Sequence, residues 1–326
     1  MRIVLSTWGS NGDVQPILSL AERLLKGRHV VRVCTSETYR DRFARSGVDF
    51  YPVGVPFDQE RFARVVADIV KIRSPLRSLI LLAKELTLYE ATKRYRDCVR
   101  GMEGHDIAIC LFADIPGQEA AIKNGLPWVT LSFWPVVKTA YQAPYPLPSL
   151  GRPLNSWLWK AAEHWMRRQV DPLFNKFLIS IGGRPRRLMG VEGMYSPELN
   201  LIAVSPQISV QQPDIAKKHR FIGALFPDEP SCEAPPLLRD FLDRGSRPII
   251  VAFGSMTGSE RVETENVLVE AVRLAGQRAI IQTTSGSDMR SSHQDIFLVG
   301  DTAVQNRGQQ MRHVLKTWDL GRGSGV

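Results

Sequence analysis

Short apolar runs alternate with helical patterns along the first part of the chain. The strand-like runs are Ile3 to Ser6, Val30 to Cys34, Asp49 to Val53, Ile107 to Leu111 and Trp128 to Ser132. Between the first two runs, Val14 to Lys26 carries apolar residues at helical spacing and is closed by Gly27. Alternation of this kind predicts a parallel sheet with helices on both faces.

Two longer helical patterns follow, Pro75 to Met102 and Leu154 to Leu178, and the segments LNLIAVS and HRFIGALF then predict two more strands. The segment PDEPSCEAPP has the composition of a linker. The alternation then restarts. A strand and glycine turn in RPIIVAFGSMTGS precede a helix from Glu260 to Gly276 and strands at Arg278 to Gln282 and Ile296 to Val299.

The pattern therefore predicts an α/β chain with two similar domains. The first covers residues 1–226, the linker 227–246 and the second 247–302, and residues 303–326 form an atypical tail. The second sheet is expected to stop after about three strands, so this domain is interpreted as incomplete.

Composition narrows the class of protein. Apolar residues make up 44% of 326 residues, and no apolar run has the length that spans a bilayer. The first apolar run is too short for a secretory signal, and the four cysteines lack disulfide or zinc spacing, so we expect a cytoplasmic protein without a metal. The formal charge of +9 attracts anionic partners, but no recognition motif supports nucleic-acid binding.

The turn STWGSNGDVQP joins the first strand to the first helix, at the sheet edge where α/β proteins bind ligands. Gly9 and Gly12 permit close backbone approach, and Asp13 is either a helix cap or a base. From geometry alone the cap is favoured. A dinucleotide fingerprint is only partly matched, because Thr7 stands at its first glycine; an NAD-type oxidoreductase is kept as an alternative.

The segment GSNGDVQPILSLAERLLKGRHVVRVCTS resembles the amino-terminal signature of glycosyltransferases with a family 28 type amino-terminal domain, which act on sterols, lipids or antibiotic aglycones. YPVG, PWVTLSFWP, FIGALF, PIIVAFGSM and DIFLVGDT extend the similarity to Thr302. The resemblance implies a GT-B type fold, with two Rossmann-like domains facing each other across a cleft.

The resemblance also implies a reaction and its residues. A hexose is transferred from a UDP- or dTDP-sugar to a hydroxyl of a lipophilic acceptor by an inverting single displacement, with Asp13 as general base. The nucleotide sugar is a co-substrate, and no cofactor or metal is implied. The implied acceptor-binding residues are Ser10, Asn11, Gly12, Phe133 and Trp134, and the implied donor-binding residues are Gly9, Gly254 and Ser255. Packing of Phe133 and Trp134, and a plain tight turn at Gly254 and Ser255, are the structural alternatives.

The family's His-Gly-Gly-rich donor loop has no counterpart after Thr302, so the chain resembles a truncated transferase. A noncatalytic acceptor-domain remnant or partner protein is therefore the second hypothesis. Trp157, Ala161 and Trp165 recur at helical spacing beside Arg167 and Arg168. This stripe indicates either core packing or peripheral contact with a membrane surface.

Overall fold

The structure is a computed structural model, and it describes residues 1–145, 147–188, 191–226, 236–251, 261–283 and 289–300. The chain divides into two compact units. One contains Met1–Gln59 and Ile69–Phe226, and the other contains Glu60–Asp68 and the part of the chain after residue 226. The predicted domain boundaries remain a prediction.

The first unit is built on a parallel sheet of seven strands in the order β3-β2-β1-β4-β5-β6-β7. The strands are β1 (Arg2–Ser6), β2 (Val30–Thr35), β3 (Asp49–Pro52), β4 (Ile107–Leu111), β5 (Trp128–Ser132), β6 (Leu199–Ile202) and β7 (His219–Phe221). Each predicted strand is present. β1 lies between β2 and β4, with Ile3 paired to Val31 and to Ile107.

The helices that precede β6 are α1 (Asn11–Lys26), α2 (Arg40–Ala44), α3 (Gln59–Lys71), α4 (Pro75–Leu82), α5 (Ala91–Met102), α6 (Ile115–Lys123) and α7 (Arg152–Ser180). Single 3-10 turns lie at Glu37–Tyr39 and Val191–Met194.

Both faces of this sheet are buried, as a parallel sheet requires. Ile3 and Leu5 point to the face covered by Val14 and Ile17 of α1. Val4, between them in the strand, belongs to a separate cluster on the other face. That cluster also contains the three buried free thiols of the described residues, which are Cys34, Cys98 and Cys110.

The helical pattern predicted from Pro75 to Met102 is not one helix. α4 ends at Leu82 and continues as a π-helical turn, in which the Leu88 N–H donates to the Ala83 carbonyl at 2.8 Å. Glu90 then has φ +50°, a left-handed conformation that interrupts the helix before α5 begins at Ala91. The apolar residues keep their helical spacing on both sides of this break, so the break could not be predicted from the sequence pattern.

In the second unit, the described residues form α8 (Pro236–Asp243), α9 (Arg261–Leu274) and a sheet in the order β10-β11-β9-β8. Its strands are β8 (Ile249–Val251), β9 (Ala279–Thr283), β10 (Met289–His293) and β11 (Ile296–Gly300). The three predicted strands are parallel, and β10 adds an antiparallel partner to β11. α8 lies inside the segment predicted as a linker and buries Leu238 and Leu242.

Candidate active site

The turn after β1 places a carboxylate at the carboxyl edge of the first sheet. Ser10 is the extended residue before α1, and Asp13 is the third residue of the helix. The Ser10 backbone N–H donates to Asp13 Oδ2 at 2.9 Å, and the Ser10 hydroxyl lies 3.4 Å from the same oxygen. Asp13 therefore makes the reciprocal half of a capping box, which fixes the position of its carboxylate.

Gly9 makes room for that carboxylate. Its φ is +151°, and a β-carbon at this position would overlap Oδ2 and Cγ of Asp13. The Tyr39 hydroxyl donates to the Gly9 carbonyl at 2.9 Å and holds the turn from the side of β2. Gly12 differs, because a β-carbon there would meet only Ser10 Oγ at 3.7 Å. Of the two glycines, Gly9 is the one that the geometry requires.

The electrostatic environment of Asp13 favours its protonated form. Burial raises the pKa of this carboxyl from 3.8 to about 6, while the two interactions with Ser10 oppose the shift. A carboxylate with a pKa near 6 is ionised at neutral pH and is a stronger base than an ordinary aspartate. The cap and the base are thus compatible roles for one side chain.

Asn11 is the first residue of α1, two positions before Asp13 in the sequence. Its Oδ1 is buried and has no hydrogen-bond partner among the described residues. A buried acceptor of this kind costs free energy unless a donor reaches it. Asn11 is therefore a polar group in the turn whose acceptor is not used by any described residue.

The two aromatic residues predicted after β5 have different surroundings. Phe133 is partly buried and packs against the cluster that contains Val14, the neighbour of Asp13. Trp134 is 65% exposed, and its backbone is held by Ser132 Oγ, which accepts from the Trp134 N–H at 3.2 Å and donates to its carbonyl at 2.8 Å. Phe133 thus contributes to the core, while Trp134 offers an open ring surface at the same sheet edge.

Of the three predicted donor-binding residues, only Gly9 belongs to the described part of the chain. Gly9 lies in the turn described above. Gly254 and Ser255 lie outside the described residues, so their role stays a prediction. Among the described residues, no cluster of His, Cys, Asp and Glu side chains could hold a metal ion.

A buried ion pair beneath the turn was missed by the sequence analysis. Arg94 of α5 donates to Asp114 Oδ1 at 2.6 Å, and both side chains are almost fully buried. The Ser6 hydroxyl, at the end of β1, donates to Asp114 Oδ2 at 2.5 Å. Burial lowers the pKa of the Arg94 guanidinium, and the Asp114 carboxylate opposes that shift. The pair ties β1 to α5 and to the start of α6.

Trp8 is the third residue that sequence reasoning missed. The Arg94 guanidinium lies 4.7 Å from the centre of the Trp8 ring, and Phe57 makes an edge contact with that ring at 6.5 Å. An aromatic residue directly before Gly9 was a usable signal for this position. The Asp-Ile-Pro of Asp114 was a recognisable helix start, but its partner Arg94 had no sequence signal.

A cavity of about 280 Å³ lies elsewhere in the first unit. Its lining includes Lys138, Thr139, Trp159, Glu192 and Asp214, and none of the predicted site residues. Asp214 accepts from Thr139 Oγ1 at 2.7 Å and from the Ala140 N–H at 2.6 Å, so its carboxylate is used in holding the loop after β5.

The chain has an α/β fold with a parallel sheet, and this fold matches that of solved GT-B glycosyltransferases. The solved glycosyltransferase of kitacinnamycin matches with a TM-score of 0.61 at 12% identity, covering 91% of this chain and 70% of that one. A Streptomyces glycosyltransferase, SsfS6, complexed with thymidine diphosphate, matches with a TM-score of 0.53 at 15% identity, covering 92% of this chain and 71% of that one.

Residues 3–127 match the glycosyltransferase family 28 N-terminal domain. The chain is 28% identical to glycosyltransferase GtfC of Amycolatopsis orientalis over 86% of its length, and 26% identical to a sterol 3-beta-glucosyltransferase of Pichia angusta over 94%. It spans 67% of the first relative and 25% of the second. The predicted resemblance to this family is confirmed.

Proposed function

We propose that the chain transfers a hexose from a UDP- or dTDP-sugar to a hydroxyl group of a lipophilic acceptor, with Asp13 as general base. The observation that carries the proposal is the Asp13 carboxylate, held by Ser10 and Gly9 at the carboxyl edge of β1 with a pKa of about 6. Ligands of open parallel sheets bind at this edge. The position and the basicity of one side chain therefore support the same role.

In the proposed reaction, an Asp13 oxygen accepts the proton of the acceptor hydroxyl. The hydroxyl oxygen forms a bond to the anomeric carbon as the bond from that carbon to the diphosphate breaks, and the nucleoside diphosphate leaves with the bonding electrons. A single displacement of this kind inverts the anomeric configuration. The proton on Asp13 then passes to water. A positioned general base contributes about 10²- to 10⁴-fold to such a step.

The acceptor side of the proposal rests on the surroundings of the turn. Trp134 presents an exposed ring, and Asn11, two residues before Asp13, has a buried acceptor that no described residue uses. Aromatic surfaces with a few polar groups are typical of sites for apolar ligands. Relatives include a vancomycin aglycone glucosyltransferase and sterol 3-beta-glucosyltransferases. Both names support a bulky acceptor, and the sterol name supports a lipophilic one.

The donor is proposed to bind to the second unit. The relatives include a dTDP-epi-vancosaminyltransferase, and solved neighbours hold thymidine diphosphate or dTDP. These names support a nucleoside diphosphate sugar as the co-substrate. Gly254 and Ser255 are the residues proposed to face the diphosphate.

Calorimetric titration of the chain with UDP, UDP-glucose and dTDP tests donor binding first. Saturable micromolar binding is expected for one nucleotide series. A folded chain that binds none of them would contradict transfer and favour the noncatalytic acceptor-binding alternative.

The base is tested with Asp13→Asn. The variant should lose at least about a hundredfold in turnover while its affinity for donor and acceptor is nearly unchanged. Turnover equal to that of the unmodified chain would leave Asp13 as a helix cap only. Proton NMR of the product gives a second test, because retention of the anomeric configuration would exclude the single displacement.

A further inference from the structure

α7 carries an apolar stripe on its outer face. Leu154, Trp157, Ala161 and Trp165 are spaced by three, four and four residues, which places them on one side of a helix. The exposed fractions of Leu154, Trp157 and Trp165 are 53%, 64% and 45%. The core-packing interpretation of this stripe is therefore wrong, because these indole rings face solvent.

A different side of the same helix forms the core contacts. Trp159 packs in one buried cluster, and Val170, Phe174 and Phe177 pack in another. α7 thus has one apolar face that holds it on the first unit and a second apolar face that the described residues leave uncovered. Single exposed apolar residues are common on protein surfaces, but two exposed tryptophans on one stripe form a patch of the kind that marks an interaction site.

The loop before α7 extends the exposed apolar surface. Its exposed apolar residues are Tyr145 (98%), Leu147 (46%) and Leu150 (54%). The loop is fastened to the helix, because buried Asn155 accepts from the Leu150 N–H at 2.9 Å and Trp159 Nε1 donates to the Gln142 carbonyl at 2.8 Å. Residues 139–151 carry no charged side chain. We call this surface the α7 face: Tyr145, Leu147, Leu150, Leu154, Trp157 and Trp165.

The charges of α7 are strongly asymmetric. Its two acidic residues, Glu163 and Asp171, are buried, and Glu163 is paired with Lys138 at 3.1 Å and with Arg167 at 3.9 Å. The remaining charged side chains of the helix are all basic: Arg152, Lys160, Arg167, Arg168 and Lys176. The exposed charged side chains of α7 itself are therefore all basic.

We propose that the α7 face docks on an anionic phospholipid surface. Trp and Tyr rings favour the headgroup region, leucines enter the acyl boundary, and flanking Lys and Arg pair with anionic lipids. Charge complementarity favours this occupant over a second copy of the chain, because two copies would bring basic helices together. Docking is peripheral, since no described helix is long and apolar enough to cross a membrane.

Vesicle co-sedimentation tests the proposal without any turnover, so its outcome is independent of glycosyl transfer. The full chain is mixed with vesicles of phosphatidylcholine alone and of phosphatidylcholine with about a quarter phosphatidylglycerol. Binding to the anionic vesicles is expected, with a blue shift of tryptophan fluorescence and weakening at high salt.

Three variants separate the contributions. Trp157→Ser with Trp165→Ser should weaken binding at least about tenfold, because both rings leave water on docking. Lys160→Glu with Arg168→Glu should abolish the preference for anionic vesicles. Ile208→Ser, which removes a side chain that is 82% exposed but lies outside the α7 face, is the matched control and should bind like the unmodified chain.

Two results would overturn the proposal. One is a folded chain that does not sediment with anionic vesicles, or whose binding is the same in the tryptophan double variant. The other is concentration-dependent self-association, measured by analytical ultracentrifugation, that the same double variant abolishes. That second result would assign the α7 face to an interface between copies of the chain.

Discussion

Asp13 lies directly against Gly9, and the carboxylate occupies the space that a β-carbon of residue 9 would need. The absence of one side chain thus sets the position of another. The Ser10 N–H donates to the same carboxylate from the other side of the turn, at 2.9 Å.

Gly9→Ala should therefore destabilise the first unit and displace Asp13. The overlap with Oδ2 and the positive φ together should cost about 2 to 4 kcal/mol in free energy of unfolding. Urea denaturation measures this change. Gly12→Ala is the control, because its β-carbon has space and alanine favours a helix; its stability should stay the same or rise by up to about 1 kcal/mol. Equal losses in both variants would contradict the packing described for Gly9.

The raised pKa of Asp13 makes stability depend on pH. Because the folded-state pKa of about 6 exceeds the ordinary 3.8, the folded chain holds this proton more tightly than the unfolded chain. The resulting stabilisation is present at low pH and is lost as pH rises through about 6. Stability of the unmodified chain should therefore fall relative to Asp13→Asn between about pH 4 and pH 7. Parallel stability curves for the two proteins would show that the pKa is not raised.

The buried pair of Arg94 and Asp114 predicts a large loss on removal of one partner. Arg94→Met leaves the Asp114 carboxylate buried without its cation and should cost about 3 to 5 kcal/mol. Arg40→Met is a useful comparison, because Arg40 pairs with Glu37 on the exposed surface and its loss should leave the urea midpoint nearly unchanged. If the two variants unfold at the same urea concentration, the Arg94 pair is not a stabilising contact.

Substitutions of Phe133 and Trp134 should affect different properties of the protein, stability for Phe133 and acceptor binding for Trp134. Phe133→Ala should lower the free energy of unfolding by about 2 kcal/mol, because the ring packs against the cluster containing Val14. Trp134→Ala should leave stability almost unchanged, since the side chain is 65% exposed, and should weaken acceptor binding about tenfold. Titration with a sterol and with the vancomycin aglycone measures the second effect. Unchanged affinity for whichever probe binds would remove Trp134 from the acceptor site.

The first sheet was predictable because its strands are apolar runs separated by clear helix signals. The seven predicted strands of this unit are present, and the family resemblance supplied the same fold. The break at Glu90 was not predictable, because a left-handed residue leaves the spacing of apolar positions intact. β10 was missed because MRSSH has no apolar alternation, and its pairing comes from the adjacent strand β11.

Within the candidate site, the predictable part was local. The Gly-Asp turn identified Asp13 and Gly9 because their relationship spans only four residues of sequence. Arg94, in α5, and Asp114, the residue before α6, are twenty residues apart and meet only in the fold, so no spacing rule connects them. The exposure of Trp157 was also undecidable from periodicity, since a stripe has the same spacing whether it faces the core or solvent.

The reactivity of the three thiols buried beneath the first sheet reports how often the first unit opens. Burial raises the pKa of Cys98 to about 12 and also raises the pKa values of Cys34 and Cys110, so all three are protonated and shielded at neutral pH. A thiol-specific chromophore will react with them only when β1, β2 and β4 separate from α5. In a Cys232→Ser variant, which removes the fourth cysteine of the chain, the rate of that labelling therefore measures how often the unit that holds Asp13 comes apart.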